Sequence, residues 1–263
     1  MKTIAVVNQK GGQGKSILVC QLAFFLALAK NKRVAVIDAD EQGSISTTLR
    51  KYVAEGNYAH TFFGAKPIEV QGDGMLVPFV SNDVEMRKVE KMDDELQLDA
   101  NKRLLLPPIV QNLKNRLADI SGAFDWCLID TPGSNSKVPN AALIAADFVL
   151  VPSVIDPYSL PVVVKVLQRV WNVKKHLNPK LELIGVLPNQ FKASDKEMGK
   201  HLSQLLAMYK DHVLPTAISN RASMPLAADN GIPIWKVPQT AAREATKEVR
   251  AAFELIGTKV GGF

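Results

Sequence analysis

A glycine-rich segment between an apolar strand and a helix constrains the fold of this chain more than any other feature. The segment reads Gln9-Lys10-Gly11-Gly12-Gln13-Gly14-Lys15-Ser16, and it separates a β-branched run at 4–7 from an apolar helical pattern at 16–30. Glycines in such a turn let backbone N–H groups surround phosphate oxygens, and the positive end of the following helix adds to the attraction. The pattern therefore predicts a strand, a phosphate loop and a helix in succession.

Short apolar strands alternate with longer helical patterns along the rest of the chain. Further strands are predicted at 33–37, 75–80, 126–129, 148–151 and 183–187. Helices are predicted at 101–120, 138–146, 158–176, 194–210 and 240–256, with a solvated helix at 83–99. Strands that are apolar throughout and separated by helices indicate an α/β fold, with a mostly parallel twisted sheet covered on both faces. We expect residues 1–263 to form a single domain of this type.

Acidic residues follow two of these strands. Asp38 and Asp40 come directly after the strand at 33–37, and Asp130 follows the strand at 126–129. Ligands of open parallel sheets bind beyond the carboxyl ends of the strands. A single Asp at such a position is often only a helix cap. Three acids beside a phosphate loop instead predict a site for ATP and Mg²⁺, with Lys15 on the β- and γ-phosphates and with Ser16, Asp38 and Asp130 as metal ligands.

The motif Lys10-Gly11-Gly12-x-Gly14-Lys15-Ser16 resembles the deviant phosphate loop (deviant Walker A) of the ParA/MinD superfamily of partition and cell-division ATPases. Asn8-Gln9-Lys10-Gly11-Gly12 and Asp38-x-Asp40-x-Gln42-Gly43 are typical of ParA. The patterns at 231–235 and 240–243 resemble short partition ATPases of broad-host-range plasmids. The resemblance covers nearly the whole chain. It implies a P-loop ATPase whose hydrolysis is weak alone and is stimulated by a ParB-like centromere-binding protein.

The resemblance also implies roles for individual residues. Lys10 matches a lysine that reaches across a dimer interface to the partner's nucleotide, Asp40 orients the attacking water, and Asp130 is the Walker-B acid. Asn189 would hydrogen-bond adenine, and the Leu214-Pro215 loop would close over the ring. The catalytic residues expected are Lys10, Lys15, Asp40 and Asp130. The nucleotide-binding residues expected are Lys10, Gly11, Gly12, Gln13, Gly14, Lys15, Ser16, Ile17, Asn189 and Pro215.

The chain departs from the family pattern at a few positions. Gln13 replaces the usual Val, Ser16-Ile17 replaces Thr-Thr, Glu41 stands where Pro is usual, and Gly133 stands where a second Pro is common. None of these changes removes a catalytic group. The loop Thr131-Pro132-Gly133 after Asp130 corresponds to the second switch of the family, which senses the γ-phosphate, and we expect Gly133 to alter its mobility. Because the first strand starts at once, we also expect no N-terminal helix-turn-helix of the kind that makes longer partition ATPases operator-specific repressors.

The charge balance suits a polyanionic partner. The chain has 32 Lys and Arg against 26 Asp and Glu, a net charge of +6. Arg243, Lys247 and Arg250 share one face of the helix predicted at 240–256. The DNA-binding residues expected are Arg221, Lys236, Arg243, Lys247 and Arg250. A second stripe comprises Lys165, Arg169, Lys174 and Lys175. Such faces contact phosphates without reading bases, although each is also compatible with an ordinary solvated helix.

Three functions remain open on the sequence alone. The first is a partition ATPase whose ATP-dependent homodimer binds non-specific DNA, in the cytoplasm at the nucleoid and without stable membrane association. The second is a MinD-like membrane switch using an amphipathic segment at 248–263, although Gly257, Gly261 and Gly262 are expected to interrupt that helix. The third is a regulator that uses nucleotide only as a ligand. Two cysteines, Cys20 and Cys127, exclude a disulfide framework and do not fit a related iron–sulfur reductase.

Overall fold

A central parallel sheet organises the molecule. The computed structural model describes residues 1–92, 96–98, 104–134, 136–238 and 240–263. The strands are β1 (Lys2–Val6), β2 (Val34–Asp38), β3 (Leu76–Phe79), β4 (Gln97–Leu98), β5 (Leu104–Leu105), β6 (Trp126–Asp130), β7 (Phe148–Ser153) and β8 (Glu182–Pro188). Six of them form one all-parallel sheet in the order β3-β2-β6-β1-β7-β8, and β4 pairs with β5 in a small antiparallel sheet. The α/β architecture expected from the sequence is confirmed.

The connections between the sheet strands are mostly helical. The helices are α1 (Lys15–Phe24), α2 (Ser44–Thr48), α3 (Asp83–Val89), α4 (Pro108–Asp119), α5 (Lys137–Ala145), α6 (Ser159–His176), α7 (Lys196–Tyr209), α8 (Ser223–Asn230) and α9 (Ala241–Lys259). After α1, the segment Phe25–Ala29 continues as a π-helical turn. Five predicted helices therefore correspond closely to α1, α5, α6, α7 and α9.

Two apolar layers cover the sheet, one on each face. Alternate side chains of β2 divide between them: Ala35 and Ile37 join the layer that contains α4, α5 and α6, whereas Val34 and Val36 join the layer that contains α1, α8 and α9. Every residue of β2, β6 and β7 is buried. Strands sandwiched in this way need apolar residues on both sides, which is why they lack the alternation of half-exposed strands.

Several local predictions were wrong. The helix expected at 83–99 ends at Val89, since the Glu90 carboxylate accepts hydrogen bonds from the first amides of α5. The helix expected at 101–120 begins only at Pro108, where proline suits a first turn, and 101–103 lie outside the described residues. Gly257 lies inside α9 and does not interrupt it, whereas Gly261 and Gly262 follow its end. Helices α2 and α8 were not predicted.

The carboxyl ends of the central strands place their following loops at one edge of the sheet. The loops after β1 and β6 are neighbours because Val6 pairs with Asp130. In the same register Asp38, at the end of β2, pairs with Asp130. The loops after β7 and β8 continue this edge on the other side of β1. Within the described part of the chain, none of the helices has the length and hydropathy needed to cross a membrane.

Candidate nucleotide-binding site

The loop between β1 and α1 adopts a backbone that favours glycine at two positions. Gly12 has a φ of 73° and Gly14 a φ of 75°, both in the left-handed region. A Cβ on Gly14 would also lie 2.4 Å from Asn189 Nδ2. Position 14 therefore needs glycine both for its conformation and for the space that a second element occupies.

Side-chain amides hold this loop against the ends of β7 and β8. Asn189 Nδ2 donates to the Gln13 carbonyl at 2.8 Å, and Gln190 Nε2 donates to the Gly12 carbonyl at 2.8 Å. The buried Gln13 side chain accepts from the Val154 amide at 2.8 Å. Such contacts fix the loop in advance, which lowers the ordering cost of binding an anion there. Asn189, expected to contact adenine, thus also supports the phosphate loop.

Two buried carboxylates and a hydroxyl converge beside the loop. Ser16 Oγ donates to Asp130 Oδ2 at 2.6 Å. Asp38 Oδ2 accepts from both the amide and the hydroxyl of Ser46, at 2.7 and 2.6 Å. The other oxygen of each acid, Asp38 Oδ1 and Asp130 Oδ1, is buried without a hydrogen-bond partner. Buried polar atoms in native proteins are normally satisfied, so these two oxygens have the chemistry of cation ligands.

The electrostatics of the acids agree with that assignment. Burial raises the pKa of Asp130 to about 8, and repulsion from Asp38 adds to the shift, while Ser16 and the charge of Lys15 oppose it. Burial likewise raises the pKa of Asp38 to about 6. Among the described residues, no group of three His, Cys, Asp or Glu is placed to hold a metal alone. The donor set of hard oxygens, with room for phosphate oxygens, fits Mg²⁺, which usually takes only one or two protein carboxylates.

A cavity of about 320 Å³ lies over the loop. All residues from 11 to 17 line it, together with Asp40, Gln42, Ser44 and Gly133. Asp40 is partly exposed, and its Oδ1 accepts from the Gln42 amide at 3.1 Å. The structure thus brings Lys15, Ser16 and Asp40 to one cavity. Lys10 is not among its lining residues, because its ammonium group contacts Asp156 of the same chain.

Gly133 has a steric role in this arrangement. A Cβ at this position would lie 3.0 Å from the Gly11 amide nitrogen and 3.1 Å from the Lys10 carbonyl oxygen. The loop after β6 therefore approaches the phosphate loop so closely that a side chain at position 133 would require a small shift of the neighbouring backbone.

A smaller cavity, of about 110 Å³, lies on the other side of Gly14. Its lining includes Ile17, Asn189 and residues of the segment 218–225. Pro215, expected to close over a base, is not part of this lining. Arg221, expected to contact DNA, is part of it, and its guanidinium donates to Glu248 of α9 at 2.7 Å. The sequence marked Arg221 only as a DNA contact and did not place the segment 218–225 beside the phosphate loop, because that position depends on the packing of α8 against α1.

The cations expected to bind DNA lie on one exposed surface, apart from Arg221. Arg243 and Lys247 line an open cavity of about 560 Å³ with Trp235, and the Arg250 guanidinium lies 4.9 Å from the centre of the Trp235 ring. Lys236 precedes α9 and is also exposed. The second stripe lies on α6, with Lys165, Lys174 and Lys175 exposed.

Comparisons with known proteins show the family to which this chain is related. A family model described as an AAA domain matches residues 1–183. The chain is 36% identical to protein IncC of Escherichia coli over 267 residues, which covers 99% of this chain and 70% of that protein. It is 27% identical to the chromosome-partitioning ATPase Soj of Treponema pallidum over 241 residues, 89% of this chain and 88% of that protein. The chain belongs to the ParA/Soj family of partition ATPases.

A solved structure shares the fold of this ParA/Soj-family chain. The ATP complex of a Cyanothece McdA variant superposes with a TM-score of 0.80 at 20% sequence identity, covering 100% of this chain and 97% of that one. At this identity the likeness concerns the fold alone. The resemblance identified from the phosphate loop is confirmed, and with it the P-loop ATPase architecture.

Proposed function

We propose that this ParA/Soj-family ATPase segregates DNA through an ATP-bound sandwich dimer. The dimer binds DNA without sequence preference, and hydrolysis stimulated by a ParB-like centromere-binding protein releases it. The observation that carries the proposal is the convergence of Lys15, Ser16, Asp38, Asp130 and Asp40 at one edge of the sheet. A structural protein gains nothing from two buried, incompletely paired carboxylates, since each costs desolvation free energy.

The loop and its neighbours bind the triphosphate. The backbone amides of residues 11–17 and the positive end of α1 attract the phosphate oxygens, and Lys15 adds a full positive charge at the β- and γ-phosphates. The cavity beside Gly14 receives the base, with Asn189 at its rim and 218–225 as its outer wall. Residues Gly12 and Gly14 keep this surface free of side chains that would hold the phosphates away.

The metal ligands are Ser16, Asp130 and Asp38. These residues would hold Mg²⁺, and the ion would supply positive charge to offset the negative charge of the phosphates. The unpartnered oxygens of Asp38 and Asp130 and the Ser16 hydroxyl suit this ion. Ser46 holds Asp38 in place through two hydrogen bonds, so it orients this carboxylate.

The chemical step uses Asp40 and Lys10. Asp40 lines the same cavity as Lys15 and orients the attacking water, while Lys10 of a second subunit approaches the same phosphates. Because that cation comes from the other subunit, hydrolysis depends on dimerisation. Partner-stimulated turnover follows from the same dependence, since a stimulating protein has only to complete this geometry.

The exposed cations next to Trp235 and on α9 make the DNA contacts. Arg243, Lys247 and Arg250 occupy one helix face, and Lys236 extends it. These side chains neutralise phosphates without reading bases, which explains binding that is independent of sequence. Two such faces held in a dimer gain effective concentration that one face lacks. Binding of this kind places the ATP-bound protein on the nucleoid.

The membrane alternative is disfavoured by the C-terminal packing. Phe253, Ile256 and Val260 are buried in the apolar layer that covers the sheet. Phe263 packs against Trp126 with ring centres 5.1 Å apart and lies against Gly257. The apolar residues that a membrane anchor would need therefore already belong to the core. A regulator without hydrolysis is disfavoured by the retained Lys15, Asp40 and Asp130.

The substitution Lys10→Ala tests the sandwich mechanism. The variant should bind nucleotide with nearly normal affinity as a monomer, because residues 11–17 remain. It should form no ATP-dependent dimer and show no stimulated hydrolysis, and its DNA binding should fall as well. Light scattering with a non-hydrolysable ATP analogue measures the dimer. A Lys10→Ala dimer of wild-type affinity contradicts the mechanism.

Co-sedimentation of the wild-type protein with DNA or with liposomes, each with ATP, separates the DNA and membrane functions.

A further inference from the structure

Lys10 is held by its own subunit. Its Nζ lies 2.9 Å from Asp156 Oδ2 and 3.1 Å from Asp156 Oδ1, and it donates to Ser159 Oγ at 3.0 Å. The exposed ring of Tyr158 lies 5.9 Å from the same ammonium group. These residues form the turn between β7 and the start of α6, and we call Asp156 and Ser159 the lysine seat.

The lysine seat is supported independently of Lys10. Asp156 Oδ1 accepts from the amides of Tyr158 and Ser159 at 2.9 and 2.7 Å, which fixes the carboxylate over the first turn of α6. Ser159 is only 1% exposed, so its hydroxyl is held in the protein interior. The lysine seat therefore presents three oxygen acceptors from two side chains in a fixed position.

The lysine seat is also tied to the phosphate loop itself. The Gln13 side chain accepts from the Val154 amide at 2.8 Å and from the Ser153 hydroxyl at 3.3 Å. Valine, usual at position 13 in the family pattern, has no group to make these contacts. In this chain, hydrogen bonds of the Gln13 side chain therefore fix the turn that carries Asp156 against the loop that carries Lys10.

The charge state of Asp156 suits an ion pair. Its partial burial raises its pKa, but the hydrogen bonds from Lys10 and Ser159 outweigh burial, and the pKa of Asp156 lies below its ordinary value. The carboxylate is therefore ionised at neutral pH. The side chains of Lys10 and Asp156 are 33% and 26% exposed, so water screens the pair only in part.

We propose that Asp156 and Ser159 are positioning residues that retain Lys10 in its own subunit and so oppose its transfer to a second subunit. This inference rests on the sandwich mechanism proposed above. An equilibrium shifts by the difference in interaction free energy between its two states. Contacts that Lys10 makes only while retained stabilise the monomer, and they raise the protein concentration at which ATP produces dimers.

The substitution Asp156→Asn tests the lysine seat with little disturbance of the turn. Asparagine keeps an Oδ1 acceptor for the amides of Tyr158 and Ser159 but removes the charge that holds Lys10. With a non-hydrolysable ATP analogue, we expect half-maximal dimerisation at about fivefold lower protein concentration, as expected for a partly exposed ion pair. Ser159→Ala should act in the same direction by about twofold. Analytical ultracentrifugation measures both midpoints.

Two controls separate positioning from general destabilisation. Glu254→Gln removes another Lys–Glu pair, to Lys30, with an N···O distance of 2.8 Å, and should leave the dimerisation midpoint unchanged. In a Lys10→Ala background, Asp156→Asn should produce no ATP-dependent dimer, since its effect acts through Lys10. Unfolding temperatures of the single variants check that the fold is retained.

Different results would contradict the retention of Lys10 and the sandwich mechanism on which it rests. If the wild-type protein dimerises with ATP and the Asp156→Asn variant dimerises less tightly, Asp156 acts across the interface. That result overturns the retention role. An unchanged midpoint overturns it as well. A wild-type protein that remains monomeric with ATP contradicts the sandwich mechanism itself. The proposed retention of Lys10 by its own subunit then fails as well.

Discussion

The phosphate-loop edge of the sheet and the outer face of α9 use charged side chains in opposite environments. At the edge, Asp38 and Asp130 have no exposed surface and Lys15 is 6% exposed. On α9, Arg243, Lys247 and Arg250 are all exposed, and Lys247 pairs with Glu244 one turn away. Electrostatic interactions are strong where water is excluded and weak where it is not. The edge is therefore suited to one ligand in one geometry, and α9 to many weak phosphate contacts.

The difference predicts how each region responds to substitution. Removing a buried charge leaves the neighbouring charged groups without a partner and without water. Single changes at the phosphate-loop edge should therefore have large effects on nucleotide binding or on hydrolysis. Removing an exposed charge leaves water in its place, so changes on α9 should be modest, additive and dependent on salt.

The largest effect is expected for Lys15→Ala. The change removes the cation at the β- and γ-phosphates, and it removes a positive charge that favours the ionised form of Asp130. ATP turnover should fall at least about 100-fold, the usual loss when one preorganised stabilising group is removed. Steady-state phosphate release measures this, with Lys180→Ala, an exposed lysine before β8, as a control. Near-normal turnover in the folded variant contradicts the phosphate-loop assignment.

Asp40→Ala should separate binding from chemistry. Asp40 is the partly exposed acid of the edge, so its loss should spare nucleotide affinity and the ATP-dependent dimer. Hydrolysis should fall about 100-fold, because orientation of the water is lost. Filter binding and phosphate release are compared with those of Glu41→Gln, whose carboxylate instead pairs with Arg87 at the surface. Loss of ATP affinity in Asp40→Ala would assign this acid to the metal or to the fold.

The smallest effect per charge removed is expected for the exposed cations of α9, whose loss should weaken DNA binding. Arg243→Glu combined with Arg250→Glu should weaken binding to all DNA sequences equally and leave the ATP-dependent dimer intact. Loss of two phosphate contacts in each subunit should reduce the slope of log affinity against log salt by about two for that subunit. Lys174→Glu combined with Lys175→Glu changes the net charge equally on α6. If this second variant alone shifts DNA mobility, the stripe on α6 is the DNA surface.

The parts of the site that could be predicted from the sequence each depend on a pattern within one short segment. A glycine-rich turn between strand and helix identifies the phosphate loop, and an acid after a buried strand identifies Asp38 and Asp130 because parallel strands end at one edge. The same rule, applied to β7, would have pointed to Asp156 three residues beyond the strand end. The end of α3 at Val89 was missed because the Glu90 carboxylate accepts hydrogen bonds from the first amides of α5, a helix that is distant in sequence.

The amino-acid sequence by itself determined the parallel sheet, the phosphate loop and the acids beside it, since each follows from periodicity or from spacing within a short segment. Tertiary structure alone decided that Lys10 contacts Asp156, 146 positions away, and that Arg221 lies by the cavity next to Gly14 rather than with the cations of α9. Each of these arrangements brings together loops at the ends of different elements. Their meeting depends on strand order and helix packing, which bring together side chains whose separation along the chain carries no signal.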